Sequence, residues 1–342
     1  MLAPLGYGTS GEEFNRFVEF ARSDPQFYVS TPEQLLDVYR ATCSEIDKLM
    51  PTFFNEIPKT PLEITSKQAG PAAYYLTGNI LLNLFHTDSE IYINLFFRLG
   101  TPDGKRPGRF YVNVSHIEKR PLYESVALSL HEAIPGHHHQ ISLATENDSL
   151  PQVGSAKLIN GKYFFLDLLF LLSMIDCLQF MRYIEDRRYE SCPCRRNIYT
   201  GYAEGWALYC EHLGEEMGMY KNPYEIFGRL SMDMMRAVRL VVDTGLHYKN
   251  WGIERCVDYM MQKTGMHRHE VETEIYRYAS WPGQACAYKI GQIEILRLRK
   301  KAEETLGSKF NLRDFHSICL NSGPLPLVEL KNIVETYIEK KL

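Results

Sequence analysis

The chain has 342 residues, enough for one large domain or two and for a substantial buried core. Charged residues make up 23% and hydrophobic residues 45%, a balance that excludes an intrinsically disordered chain. A formal net charge of −4 leaves no electrostatic footprint for nucleic acid, so that class of partner drops out.

The first residues, "MLAPLGYGTSGEEF", show neither a basic nor an apolar leader region. No signal peptide is expected, and a cytoplasmic location is favoured. In "STPEQLLDVYRATCSEIDKLM", Thr31 is placed to cap a helix, with Pro32 at its first position and Gln34 closing a capping box. "EIYINLFF" is a weaker strand candidate. "GRFYVNVS" is the clearest strand, with aromatic and β-branched residues following the turn-forming "TPDGKRPG". A helix beginning at Pro121, "PLYESVALSLHEAI", runs into a group of histidines. Residues 153–179 form an apolar insert among polar neighbours. Its apolar core of about 13 residues contains Asp167 and falls short of the ~20 needed to cross a bilayer, so no membrane span is expected. Thr200 is placed to cap "GYAEGWALYCEHLGEEMG", and two further helices follow, the first over "YEIFGRLSMDMMRAVRLVVDTGLHY", the second ending at Gly307. Six of eight cysteines fall in helix-like segments as small buried hydrophobes, and Cys192-Pro-Cys194 has no second pair at zinc-finger spacing. The expected architecture is a single domain over 1–342, mainly α, with a small sheet.

The chemistry concentrates in "LSLHEAIPGHHHQ". In an ordinary H-E-x-x-H helix two histidines one turn apart ligate zinc, and the glutamate is the general base. Here Pro135 stands at the fourth position from His131, leaving His137 or His138 as the second ligand. On an unbroken helix they lie ~9–10.5 Å along the axis from His131. Pro135 and Gly136 therefore predict a bulge or kink that brings one of them back. Otherwise the run is a solvated helix end. Glu204, among Tyr202, Ala203, Trp206 and Ala207, is the candidate third ligand, unless it is solvated. Glu211, two turns on, is placed to orient a ligand histidine.

Arg239, Asp243 and His247 make one polar stripe on an apolar helix. It reads either as a self-satisfied network or as Asp243 orienting His247 toward an oxyanion. Gln284 and Tyr288 sit one turn apart near a helix start, with Tyr288 a second oxyanion donor. Arg239, Gln284, Lys289, Arg297 and Arg299 are candidate substrate contacts, the basic ones suited to a carboxylate.

The blocks "RPGRFYVN", "LHEAIPGHHHQ", "EGWALYCEHLGEEMGMY", "GRLSMDMMRAVRLVVDTGLHY" and "WPGQACAYKIGQIEILRLR" resemble, in order, those of domain of unknown function 885. That family is large in bacteria, where many members are described as lipoproteins, and it occurs in nematodes. The resemblance spans residues 5–335. Its H-E-x-x-P-G-H-H motif maps onto His131, Glu132, Pro135, Gly136, His137 and His138, and its E-G-W-A motif onto Glu204, Gly205, Trp206 and Ala207. The resemblance implies a gluzincin-like metalloprotein fold and a chain beginning where the catalytic half of longer members does. By analogy, "GRFYVNV" becomes the edge strand along which a peptide pairs, with Asn113 facing the cleft. Residues 153–179 have no counterpart in that pattern. They begin with Val, whose codon starts GT, and end with Gln, for which CAG is a codon, as an unspliced intron read in frame would.

The expected function is hydrolysis of a peptide or small amide. One Zn2+ per chain would be held by His131, one of His137 and His138, and Glu204. Glu132 would be the base, and His247 with Tyr288 would stabilise the oxyanion. A lyase or non-peptide amide hydrolase on the same site, or a silent binding protein, is the alternative.

Overall fold

In a computed structural model, residues 11–67, 73–76, 78–87, 90–99, 107–147, 150 and 199–342 are described. The 153–179 insert and the Cys192–Cys194 pair lie outside them. The chain opens with helices α1 (Gly11–Ser23) and α2 (Pro32–Phe53). The capping box at Thr31 and Gln34 forms as expected, and α2 buries Leu35, Leu36, Tyr39, Cys43, Ile46 and Met50 along one face. Strands β1 (Leu62–Lys67), β2 (Ala73–Leu76), β3 (Gly78–Thr87), β4 (Glu90–Leu99) and β5 (Gly108–Asn113) follow. β3 and β4 pair as an antiparallel hairpin, while β1, β5 and β2 form a separate small sheet in that order.

This order corrects the expectation for "GRFYVNV". β5 is not an edge strand: β1 pairs parallel with one side of it and β2 antiparallel with the other. Both rows of its backbone groups are therefore largely used.

The remaining elements are helical: α3 (Ser125–Glu132), α4 (His137–Glu146), α5 (Thr200–Glu216), α6 (Pro223–Tyr248), α7 (Ile253–Lys263), α8 (Arg268–Ser280), α9 (Gln284–Leu306), α10 (Leu312–Asn321) and α11 (Leu327–Lys341). The protein is mainly α with a small sheet. The helix expected from Pro121 begins only at Ser125, after a single 3-10 turn. Thr200 lies inside α5 and makes no cap. Asn222 accepts hydrogen bonds from the Tyr224 and Glu225 amides and caps α6, with Pro223 behind it.

α5 runs through the main core, where Tyr202, Trp206, Tyr209, Cys210 and Leu213 are buried against α2, α3, α9, α10 and α11. Its approach to α9 is nearly backbone on backbone. A methyl on Gly291 would stand 1.9 Å from the Gly201 carbonyl oxygen, and one on Gly205 would stand 2.4 Å from the Gly291 Cα. That contact fixes the height of Glu204 against Tyr288 on α9. A second cluster joins α6, α7 and α8, and a third packs α1 against Tyr123 and Phe227. Cys43, Cys210, Cys256 and Cys319 are buried free thiols, as expected of small core residues, and Cys286 is part-buried. Among the described residues no helix is long and apolar enough to cross a membrane.

Candidate metal centre

The break in the histidine motif is wider than a bulge. α3 ends at Glu132, Ala133 leaves helical geometry, the Ile134–Pro135 peptide is cis, and α4 starts afresh at His137. The new helix thus returns His137 to His131, with ring centroids 4.9 Å apart and nearly perpendicular. Trp206 secures the turn from α5, its indole N–H donating to the Pro135 carbonyl at 2.9 Å. Gly136 packs so tightly that a methyl there would stand 1.9 Å from the His131 carbonyl oxygen.

Glu204 meets both imidazoles. Its Oε2 lies 3.5 Å from His131 Nε2 and 3.2 Å from His137 Nε2. One ligand atom from each of the three residues lies within 4.8 Å of the others. Zinc–nitrogen and zinc–oxygen bonds of about 2.0–2.2 Å make tetrahedral edges of roughly 3.3–3.5 Å, which the two measured edges match. The donor set, two imidazoles and a carboxylate from three helices, fits a divalent cation such as zinc.

Behind the cluster, Glu211 is almost fully buried, and its Oε1 lies 2.7 Å from His131 Nδ1. This leaves Nε2 of His131 for the cluster. Burial alone would depress the His131 pKa, but the hydrogen bonds its ring donates to the Glu204 and Glu211 carboxylates outweigh it and raise the pKa to about 9. Burial likewise opposes ionisation of Glu204, and the His137 and His131 imidazoles overcome it, holding the carboxyl well below its ordinary value. Tyr288 stacks on His131, with centroids 6.1 Å apart. Burial, then the Glu204 carboxylate, pushes its phenol up to about 12. Glu132 is buried, and among the described residues none donates a hydrogen bond to it.

A family model described as a bacterial protein of unknown function, DUF885, matches residues 2–334. The chain belongs to the DUF885 family. No curated protein matches it. A solved structure of a candidate lipoprotein from Colwellia psychrerythraea is 32% identical, with a TM-score of 0.74, covering 99% of this chain and 49% of that one. A candidate lipoprotein of unknown function from Shewanella oneidensis shares the fold at 18% identity and a TM-score of 0.64, over 98% of this chain and 52% of that one. The chain therefore spans about half the length of these two solved relatives. Their description also corrects the expectation of a cytoplasmic protein. Lipoproteins are held at a membrane by a lipid anchor, so the setting described for those two relatives is membrane-anchored or extracytoplasmic, not cytoplasmic.

Within the DUF885 motif the two histidine candidates separate. His138 turns away from the cluster: it is buried, with Nε2 3.1 Å from the Thr60 carbonyl and Nδ1 3.5 Å from Ser142 Oγ. Burial drops its pKa to about 4, and with both ring nitrogens turned to Thr60 and Ser142 it lies outside the cluster of His131, His137 and Glu204. A cavity of about 710 Å³ lies on this side of the break, lined by Cys43, Met50, Thr60, Ile64, Ile134 and His138, and no cluster residue lines it. We expect His137→Ala to abolish zinc binding and His138→Gln to leave it within about threefold. Equal losses in the two variants, read by metal content, would refute the assignment.

Several other expected site residues lie elsewhere. His247 is exposed on the last turn of α6, with Nε2 2.9 Å from the Tyr278 carbonyl. Arg239 is the part of α6 that meets Tyr288, and His247 lies eight residues, ~12 Å, further along the axis. Asp243 does not orient it. Its carboxylate accepts the Gly283 amide at 3.2 Å, at the start of α9. Asn113 is buried, and its Oδ1 accepts from the Ser115 amide and hydroxyl in the turn after β5. Arg297 is half-exposed and paired with Glu294, and Arg299 binds Glu216. Lys289 is held by Asp233 of α6.

Arg239 and Gln284 do reach the site's surroundings. The Arg239 guanidinium lies 4.6 Å from the Tyr288 ring centroid and is held by Glu274 and the Tyr278 hydroxyl. Arg277 donates to Gln284 Oε1, which turns the Gln284 amide N–H toward the Tyr288 hydroxyl at 3.2 Å. The phenol oxygen thereby accepts, leaving its own proton to donate. Sequence reasoning missed Glu274, Arg277 and Arg236; the signal available was an arginine pair at i and i+3, Arg236 and Arg239, flanked by Ala237, Val238, Leu240 and Val241.

Proposed function

We propose that the chain is a gluzincin-like, zinc-dependent hydrolase of peptide or amide bonds. The observation that carries this is the meeting of His131, His137 and Glu204 ligand atoms within 4.8 Å, from three helices, with the buried Glu132 next in sequence to His131. Zinc bound there would act as a Lewis acid on water and on the scissile carbonyl. Glu132, next to a ligand in sequence, is the base that takes the proton of the attacking water and passes it to the leaving nitrogen. Tyr288, with its oxygen already accepting from Gln284, donates its proton toward the developing oxyanion. Glu211 holds the His131 ring by Nδ1.

The test is elemental analysis of purified protein, with His131→Ala alongside, followed by activity screening on peptides and small amides. We expect about one zinc per chain, lost in His131→Ala. Glu132→Gln should keep the zinc and lose turnover by about 10²–10⁴-fold. A metal-free wild type would sink the hydrolase reading. Full zinc occupancy without turnover on any panel would point instead to a binding protein.

A further inference from the structure

The carboxylate behind His131 has its own partner, on a third helix. Glu211 of α5 presents Oε1 to His131 Nδ1 at 2.7 Å, and Arg236 Nη2 of α6 lies 3.4 Å from the same oxygen. Both side chains are buried, Glu211 at 1% exposure and Arg236 at 6%. The Arg236 guanidinium is fixed by donation to the Met232 carbonyl at 3.2 Å and stands 5.9 Å from the Tyr288 ring centroid. Tyr220 donates to the Glu211 backbone carbonyl at 2.7 Å and pins that turn of α5. Among the described residues Glu211 Oε2 has no hydrogen-bond partner, so the carboxylate is held there through one oxygen by two groups.

We propose that Arg236 is a positioning residue for metal binding. It supplies the counter-charge that keeps the Glu211 carboxylate seated on His131, so that Nδ1 donates and Nε2 faces the other two ligands. The physical reason is desolvation: a carboxylate this deeply buried is costly unless a cation pairs with it. Without Arg236, Glu211 loses its charge partner, and the His131 ring loses its fixed orientation. Outer groups of this kind typically change metal affinity by about 10–100-fold when removed. The assignment rests on the metal-site reading above.

The experiment measures Zn2+ affinity by competition with a chromogenic chelator, on the full chain, for wild type, Arg236→Met, Arg236→Lys and Arg229→Met. Arg229 is a buried arginine of the same helix that pairs with Glu215, away from the cluster, and its variant controls for general damage to α6. Thermal unfolding of each apo protein checks folding, and nitrogen NMR of the His131 ring reports its tautomer in the zinc-bound form. We expect Arg236→Met to weaken zinc about 10–100-fold, Arg236→Lys to recover most of that loss, and Arg229→Met to stay within about threefold of wild type. Wild-type affinity and an unchanged tautomer in Arg236→Met would overturn the proposal while leaving the metal site standing. Equal losses in Arg236→Met and Arg229→Met, or no recovery in Arg236→Lys, would also overturn it. A wild type that binds no zinc would overturn the metal-site reading and this proposal together.

Discussion

Replacing Gly136 by alanine should abolish the candidate metal centre. The added methyl would stand 1.9 Å from the His131 carbonyl oxygen, 2.4 Å from that of Leu130 and 2.5 Å from the His131 carbonyl carbon. All three atoms are backbone of the last turn of α3, so no side chain can rotate aside. Relief requires α3 and α4 to separate, and that separation moves His131 and His137 apart. The ligand edges of 3.2 and 3.5 Å to Glu204 have little slack for it. Overpacking in a rigid setting costs about 1–3 kcal/mol, occasionally more, and contact with main chain belongs at the upper end. We expect Gly136→Ala to lose zinc below detection and to unfold several degrees earlier than wild type. Gly11→Ala is the control, because a methyl there meets nothing within 4 Å. Wild-type zinc content in Gly136→Ala would show that the break tolerates expansion, and the packing argument would fail.

That same turn marks the limit of what the sequence made legible. His131, Glu204, Glu211 and Tyr288 were readable because each is a costly polar residue in an apolar helical setting, and burial demands a partner for each; Glu132 was readable from its place beside His131 in the motif. The choice between His137 and His138 was not readable. It depends on where the second helix restarts after Gly136, and a shift of one residue rotates every side chain by about 100°. His247 and Asp243 misled for a related reason. Helical periodicity places them on the Arg239 face, but says nothing of how far along the axis the site extends. Strand order was hidden as well, because "GRFYVNV" carries the apolar run of an interior strand while its partners β1 and β2 lie far upstream. Arg236 differs: its place among apolar neighbours was visible, but its role depends on the Glu211–His131 contact, which joins residues far apart in sequence.

Lowering the pH from 7 to 4.5 should remove on the order of 5 kcal/mol of folding stability from the metal-free protein. Three histidines are buried in neutral form. Burial, only partly countered by hydrogen bonds to the Phe53, Thr60 and Glu56 carbonyls, drops His316 to about 3 and His138 and His139 each to about 4. Each has a folded pKa below its unfolded value of 6.5, so its contribution is fully present above pH 6.5. It is lost progressively as pH falls toward 4, at roughly 2–3 kcal/mol per histidine by pH 4.5. Glu124 works the other way: burial, then Glu270, raises its carboxyl to about 7, and protonation of the folded state offsets part of the loss. Glu274, held at about 2 because Arg239 and Arg277 outweigh its burial, matters only below this window. Urea unfolding at several pH values, with chelator present, measures the slope. His316 is the cleanest probe, since it lies far from the cluster in sequence and is bound by the Phe53 carbonyl and the Tyr209 hydroxyl. His316→Gln can keep both hydrogen bonds but cannot charge. Its stability should fall less steeply, by close to one proton or about 1.2 kcal/mol per pH unit near pH 5.5. A slope identical to wild type would mean that His316 is already charged in the folded protein, and its neutral place between Tyr209 and Phe53 would have to be abandoned.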